Sequence, residues 1–289
     1  PDPQDSNHAG LWLASISHTG LSGGELALPD VTLSATPMAN RVDGIDHSAA
    51  MNWMRISDIY TETGARIHVT YSAPQCVAGT NLPAAADSNT MRCFPVHWVP
   101  QGYTDPVLDW FHKYVVTTIT EYDLTGGGGR AITSYDYPNT PAWHRDEDTG
   151  LVPTKRLTWS EWRGYDRVVT TKGDPGEQVR SAAVFYRGMD GDRLASGATR
   201  TATVAGSDGV AVADAEAFTG STREQIIYNG ASDTIVSSVI NDQRQSPPTA
   251  SRTINQDTVT ARQVGIAATR TKAALDNGRG WRRSDTSTE

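Results

Sequence analysis

The sequence predicts an all-β protein: an antiparallel strand-turn-strand sheet, curved, with a loop-rich N-terminal part. Three observations carry that prediction. Period-two alternation of apolar and polar residues dominates the chain, as half-buried strands require. Tyr-Asp recurs where a strand gives way to a turn, at Tyr122-Asp123, Tyr135-Asp136 and Tyr165-Asp166, with Tyr228-Asn229-Gly230 as a worn fourth copy. Glycine (26) and proline (15) are raised among 289 residues, which many short strands joined by tight turns demand. A unit of strand, turn and strand cannot bury a face alone and must stack on neighbours. The chain therefore reads as a piece of a built surface rather than as a compact catalyst.

Residues 11–16, 51–56 and 66–71 alternate and read as strands, the last two joined by a turn at Thr61-Glu62-Thr63-Gly64. Residues 114–120 are β-branched nearly throughout and give the strongest strand signal. The return strand is expected over 130–137, after the four glycines 126–129. Further strands are expected over 155–162, 165–171, 181–186, 226–228 and 234–240. Residues 263–275 have some helical propensity, but Thr269 and Thr271 alternate as well as they spiral, and a strand is expected there too. Asp276-Asn277-Gly278 is a type I′ hairpin signal before Trp281. In each Tyr-Asp copy the aromatic closes a strand and the aspartate is placed to bond the backbone of the turn that follows.

A change of composition near 100–106 divides the chain into a loop-rich β region, 1–105, and a repeating antiparallel region, 106–289. Thr286-Ser287-Thr288-Glu289 follows the last hairpin signal with nothing resembling a cap, so a truncation within a longer protein is expected.

A formal net charge of -8, with no basic run longer than a pair such as Arg282-Arg283, speaks against a nucleic-acid partner. No stretch approaches the ~20 apolar residues of a membrane-crossing helix. Pro1-Asp2-Pro3-Gln4-Asp5 has neither the basic segment nor the apolar core of a signal peptide. The chain is then either cytosolic or a mature or excised piece of a longer precursor. Cys76 and Cys93 flank a loop rich in Pro, Ala, Asn and Asp, and their spacing fits no zinc pattern. A structural disulfide is expected, worth roughly 3 kcal/mol in the chain-entropy model. Such a bridge implies an oxidising compartment, so a secreted protein is expected.

Several local patterns suggest chemistry and have a plainer explanation. Gly20-Leu21-Ser22-Gly23-Gly24 matches the nucleophile elbow, but residues 25–31 are extended and contain Pro29 where that motif needs a helix. The glycines 126–129 imitate a phosphate loop, yet the following segment is β-branched and aromatic, so a long hairpin turn is expected. Met189-Asp190-Gly191-Asp192-Arg193 offers calcium two carboxylates but lacks the other acidic positions of a calcium hand. Trp143-His144-Arg145-Asp146-Glu147-Asp148 is the best local cluster for acid-base work, although adjacent residues in one polar loop point in different directions. The histidines at 8, 18, 47, 68, 97, 112 and 144 never take a metal-ligand spacing. Trp159 and Trp162 face opposite sides of a regular strand, which predicts one core and one surface indole. No catalytic, metal or cofactor-binding residue is assigned.

Three blocks carry a resemblance: Asp109-Trp110-Phe111-His112-Lys113-Tyr114-Val115-Val116, the segment from Trp159 through Arg163-Gly164-Tyr165-Asp166, and Tyr186-Arg187-Gly188-Met189-Asp190-Gly191-Asp192-Arg193. With Leu28-Pro29-Asp30-Val31-Thr32 and Asn40-Arg41-Val42-Asp43, they resemble the large secreted RHS/YD-repeat proteins of actinobacteria, relatives of polymorphic toxins and of the shell subunits of insecticidal toxin complexes. The likeness runs from about Leu11 to Trp281. It implies a β-sheet spiralling into a hollow shell around a toxic C-terminal domain, with an autoproteolytic site near the end of the repeat core. The family's Tyr-Asp-x-x-Gly-Arg spacing is stretched here by three residues between Gly126 and Arg130, and Tyr135-Asp136 and Tyr165-Asp166 lack the Gly-Arg. These departures place the chain upstream of the regular repeats, and no catalytic residue carries over.

The expectation is thus a non-enzymatic segment of a secreted shell that encapsulates or displays a toxin or effector. Its partners would be the rest of the same polypeptide and its C-terminal cargo. The alternative is an extracellular β-sandwich binding glycans or a cell surface through exposed aromatics such as Trp143 or Trp162. A third possibility is a secreted hydrolase using the 143–148 loop, which requires a concave pocket with convergent polar groups.

Overall fold

The computed structural model describes residues 10–42, 50–100, 102–255, 257–275 and 278–288. Pro1 to Asp5, His8, Asp43, His47, the first two positions of the 276–278 turn and Glu289 lie outside the described residues. The chain begins with β1 (Ser15–Ile16), β2 (Thr19–Gly20), β3 (Leu26–Ala27), β4 (Val31–Ala39), β5 (Asn52–Tyr60) and β6 (Ala65–Tyr71). There follow β7 (Cys93–Trp98), β8 (Val107–His112), β9 (Val116–Asp123), β10 (Ala131–Asp136), β11 (Ala142–His144), β12 (Glu161–Gly164), β13 (Arg167–Lys172) and β14 (Val179–Phe185). The remainder are β15 (Thr203–Ala205), β16 (Ala211–Ala213), β17 (Thr222–Tyr228), β18 (Ile235–Gln245), β19 (Ala250–Ile254), β20 (Asp257–Ala261), β21 (Val264–Ala274) and β22 (Trp281–Ser287). Two single 3-10 turns stand between strands, Thr154–Arg156 and Glu216–Phe218.

Twelve strands form one sheet in the order β1-β4-β5-β6-β9-β10-β13-β14-β17-β18-β21-β22, with every neighbouring pair antiparallel. Order in space follows order in sequence, so the sheet is a meander. The other ten strands pair as five hairpins, β2-β3, β7-β8, β11-β12, β15-β16 and β19-β20, set into its connections. Because neighbouring strands run in opposite directions, successive connections fall at opposite ends of the sheet. One end carries β2-β3 and a row of tight turns. The other gathers the four remaining hairpins.

The tight turns need residues free to reverse the chain. Gly64 has φ 82° and closes the β5-β6 turn where an added Cβ would lie 2.8 Å from Thr125 Cγ2. The β9-β10 turn is bound by Asp123, whose carboxylate accepts the backbone N–H groups of Thr125 (2.7 Å), Gly127 (3.0 Å) and Gly128 (2.6 Å). Those bonds hold its pKa below the ordinary carboxylate value, with the Thr125 hydroxyl as the largest cause. Here the Tyr-Asp expectation is met. At Tyr165-Asp166 it fails: Tyr165 stands between β12 and β13, and Asp166 accepts from the Asn139 side chain at 2.8 Å. An aspartate binds a turn only if the chain folds back at once, as it does after Asp123. After Asp136 it leaves instead into the β11-β12 excursion.

The expected strand at 155–162 is also overturned. Residues 154–156 form a 3-10 turn, and a strand begins only at Glu161. The intervening groups bond sideways: the Asp146 carboxylate accepts from Thr158 N (2.9 Å) and the Ser160 hydroxyl, and the Thr158 hydroxyl donates to Pro95 O (2.7 Å). Of 11–16, only Ser15–Ile16 is strand. Segment 263–275 is strand, as its alternation predicts. The 100–106 segment connects β7 to β8 within one hairpin, and the large sheet runs through both parts of the chain because β6 pairs with β9.

Burial is spread over three small clusters. Val169, Ala182, Ile226 and Tyr228 pack on the sheet, and Val184, Tyr186, Val204 and Phe218 fasten β15-β16 to it. Val42, Cys76 and Cys93 form the third, with the two cysteines joined in a disulfide. Replacing both cysteines with alanine is expected to lower the unfolding free energy by roughly 3 kcal/mol. Urea denaturation of the oxidised protein and the double variant checks it.

Candidate functional site

At the hairpin end of the sheet lies a cleft of ≈ 740 Å³. Its walls come from β11 and the 145–148 loop, the Gly191-Asp192-Arg193 turn, the 3-10 turn at 216 and strand β20. The 143–148 loop therefore does face a concavity with convergent polar groups. What its side chains do there is mostly structural.

Trp143 is no exposed platform. It is 2% exposed, stacks on Phe94 with ring centroids 4.8 Å apart, meets Trp162 edge-on at 4.8 Å, and donates its indole N–H to Met91 O at 2.8 Å. Trp162 is half-buried between Trp143, Tyr165 and the Lys113 ammonium. Trp159 is half-buried as well and donates to Arg193 O at 2.9 Å. The expected division into one core and one surface indole fails because Trp159 lies outside any strand. The aromatics on which a glycan-binding surface would rest are engaged within the fold.

Asp146 is committed to Thr158 and Ser160, as above. Asp148 accepts from Gly150 N (2.9 Å), the Thr154 hydroxyl (3.1 Å) and Asn255 Nδ2 (2.8 Å). The Asn255 bond, with the others, holds its pKa low. Arg145 reaches across the cleft to Asp257 at 2.8 Å, and Arg193 meets the same carboxylate at 3.1 Å, which latches β20 to the opposite wall. Glu147 is exposed, and no bond to it is found among the described residues. The two carboxylates that glycoside chemistry needs across a cleft are thus not supplied by this loop.

His144 stands among acidic side chains at the wall of the cleft. Its Nδ1 lies 2.7 Å from Arg145 O and 3.5 Å from Glu161 Oε2, and its Nε2 lies 3.6 Å from Asp192 Oδ1 and 3.8 Å from Glu216 Oε1. Burial opposes the imidazolium, but Glu161 and then Asp192 outweigh it and raise the pKa, while the His144 bond lowers that of Glu161. A raised histidine pKa stabilises the fold fully below the ordinary value of about 6.5, and that contribution fades as pH rises through the folded value. The melting temperature is expected to fall across that window in the native protein and to change less in His144→Gln. Thermal melts at a series of pH values decide it.

The Asp190-Gly191-Asp192 turn is filled by protein donors. Asp190 accepts from Ala202 N at 2.9 Å, and the 1%-exposed Asp192 accepts from Arg145 N at 3.1 Å and pairs with Arg200 at 3.4 Å. No cluster of three or more metal-ligating side chains occurs among the described residues. The histidines bond separate partners: His18 with Glu62, His68 with Asp58, His97 with Arg156 O. Gly20–Gly24 is the exposed turn of the β2-β3 hairpin.

Local sequence patterns missed the buried ion pair of Arg41 with Asp109, whose side chains are 0% and 3% exposed. The far edge of the sheet lies beyond the last hairpin signal, where the sequence placed an uncapped strand. All seven residues of β22 are exposed, its one strand neighbour is β21, and the opposite edge is only the two-residue β1.

No protein-family model matches the chain. No curated protein matches it either. Among solved structures it is similar to the crystal structures of TcdB2-TccC3 and of TcdB2-TccC3-TEV, each at 13% identity and a TM-score of 0.42 over 81% of this chain. The chain spans 11% of the length of each. A likeness of this size identifies neither a family nor a role.

Proposed function

We propose that the chain is a non-catalytic wall segment of a larger secreted β-shell, its sheet continued by further strands of the same polypeptide around a toxin or effector. The observation that carries this reading is β22, a seven-residue edge strand with a row of unpaired backbone groups at the end of a twelve-stranded meander. An uncovered edge of this length invites another strand, and isolated proteins ordinarily blunt or cover it.

Two further observations agree. The sheet is packed on one face and open on the other: Ile226 is 1% exposed and its neighbour Ile227, pointing the other way, 41%. The disulfide supports an oxidising compartment.

Hydrogen exchange on the isolated chain tests the reading. The outward amides of β22 are expected to exchange as fast as turn amides, while those of β18, paired on both sides, stay protected. A monodisperse monomer with β22 fully protected would count decisively against it.

A further inference from the structure

The open edge has a charge pattern of its own. Its register with β21 sets Arg283 directly opposite Lys272, Arg282 opposite Ala273, Asp285 opposite Arg270 and Trp281 opposite Ala274. Like charges facing each other across a ladder are unfavourable. Lys272 is held in place, with its ammonium 5.1 Å from the centroid of the Trp281 ring and 2.8 Å from the Ser207 hydroxyl. Arg270 is engaged with Asp242 at 3.0 Å and Asp208 at 3.5 Å. Arg282 and Arg283 are exposed, and neither has an acidic partner among the described residues. Being adjacent in a strand, they place one guanidinium on each face of the sheet. A chain of net charge -8 thus keeps two unanswered positive charges on the edge that lacks a strand.

We infer that β22 receives an extended acidic segment. Added antiparallel, it would set adjacent carboxylates opposite Arg282 and Arg283, a basic residue opposite Asp285 and an apolar side chain opposite Trp281. The main chain would supply affinity, as in other strand additions, and the alternating side chains would supply choice. Charge at an edge also deters indiscriminate pairing, and a doubled arginine deters neutral and basic strands while admitting an acidic one. The inference rests on the wall reading, and names the chemistry of the strand that continues the wall.

The test uses the whole chain and three seven-residue peptides that differ only at the fifth and sixth positions, which fall opposite Arg283 and Arg282 in the antiparallel register, Glu-Glu, Gln-Gln or Lys-Lys. Protection of the β22 amides is followed by hydrogen exchange as each is added. The Glu-Glu peptide is expected to protect β22 at a concentration about fivefold lower than Gln-Gln, and Lys-Lys to need more than either. The advantage should shrink as salt is raised, Arg283→Glu alone should bring the Glu-Glu and Lys-Lys peptides level, and Arg282→Glu with Arg283→Glu, both at exposed positions, should reverse the order. Equal protection by all three peptides, or protection by none, overturns the inference and leaves the wall reading standing. A dimer paired through β22 that the Glu-Glu peptide cannot displace assigns the edge to a second copy and also overturns it. If β22 is already protected in the peptide-free monomer, the wall reading itself falls.

Discussion

Replacing Trp143 with alanine is expected to lower the unfolding free energy by about 4 kcal/mol, the usual cost of emptying a fully buried indole site. The residue sits in β11, yet its contacts belong to other elements: Phe94 of β7, Trp162 of β12 and the carbonyl of Met91, which lies in the loop closed by Cys76 and Cys93. Truncation would remove the packing between two hairpins and leave a half-buried carbonyl without its donor. Trp143→Phe keeps most of the ring and loses only the N–H bond, so about 1 kcal/mol is expected of it. The damage should also be local. Amides of β7 and β8 are expected to exchange faster in Trp143→Ala, while those of β18 keep their protection until global unfolding. A loss under about 1 kcal/mol, read from urea curves, would show that the hairpins are fixed to one another by something else.

The large sheet was legible where its strands carry their own signal. Residues 116–123 are β-branched with turn residues behind them, and alternation over 264–274 outweighed a helical composition. The hairpins were not legible, because short strands take their conformation from their partners. Strand β7 contains Pro95, which ordinarily argues against a strand and is tolerated in a two-stranded hairpin. Strand β4 contains Pro37 and few large side chains. In the cleft, the clustering of charge at 144–148 was visible in sequence, but the bonds that commit Asp146 and Asp148 run to residues 12 and 107 positions away.

The three distinctive blocks gain a physical meaning from the fold. Asp109 pairs with Arg41, Lys113 lies over Trp162, and Trp159 bonds the carbonyl of Arg193. Each block meets another distinctive block at the end of the sheet where the hairpins gather. Their unusual composition, rich in Trp, Asp and Arg, marks docking points between excursions.

The deepest of these contacts leads to the other large effect. Arg41 Nε lies 3.0 Å from Asp109 Oδ2, and both side chains are essentially sealed from water. Asp109 also accepts the Trp98 indole N–H at 3.2 Å and the Trp110 amide at 2.8 Å, while the Arg41 guanidinium lies 5.3 Å from the Trp98 ring centroid. This network fastens residues 40–42 alongside β8, where Val42 N donates to Trp110 O and His112 N to Asn40 O. Asp109→Asn nearly preserves shape but removes the charge that faces a buried guanidinium, and a loss of about 3–5 kcal/mol is expected. Arg41→Met should cost a comparable amount by stranding the carboxylate. Because each single change exposes the partner's desolvation, the double variant Arg41→Met with Asp109→Asn is expected to lose less than the sum of the two. Denaturation of the four proteins as a double-mutant cycle gives the coupling directly. Strictly additive losses would mean that the charges do not depend on each other, and that residues 40–42 are held to β8 by their backbone bonds alone.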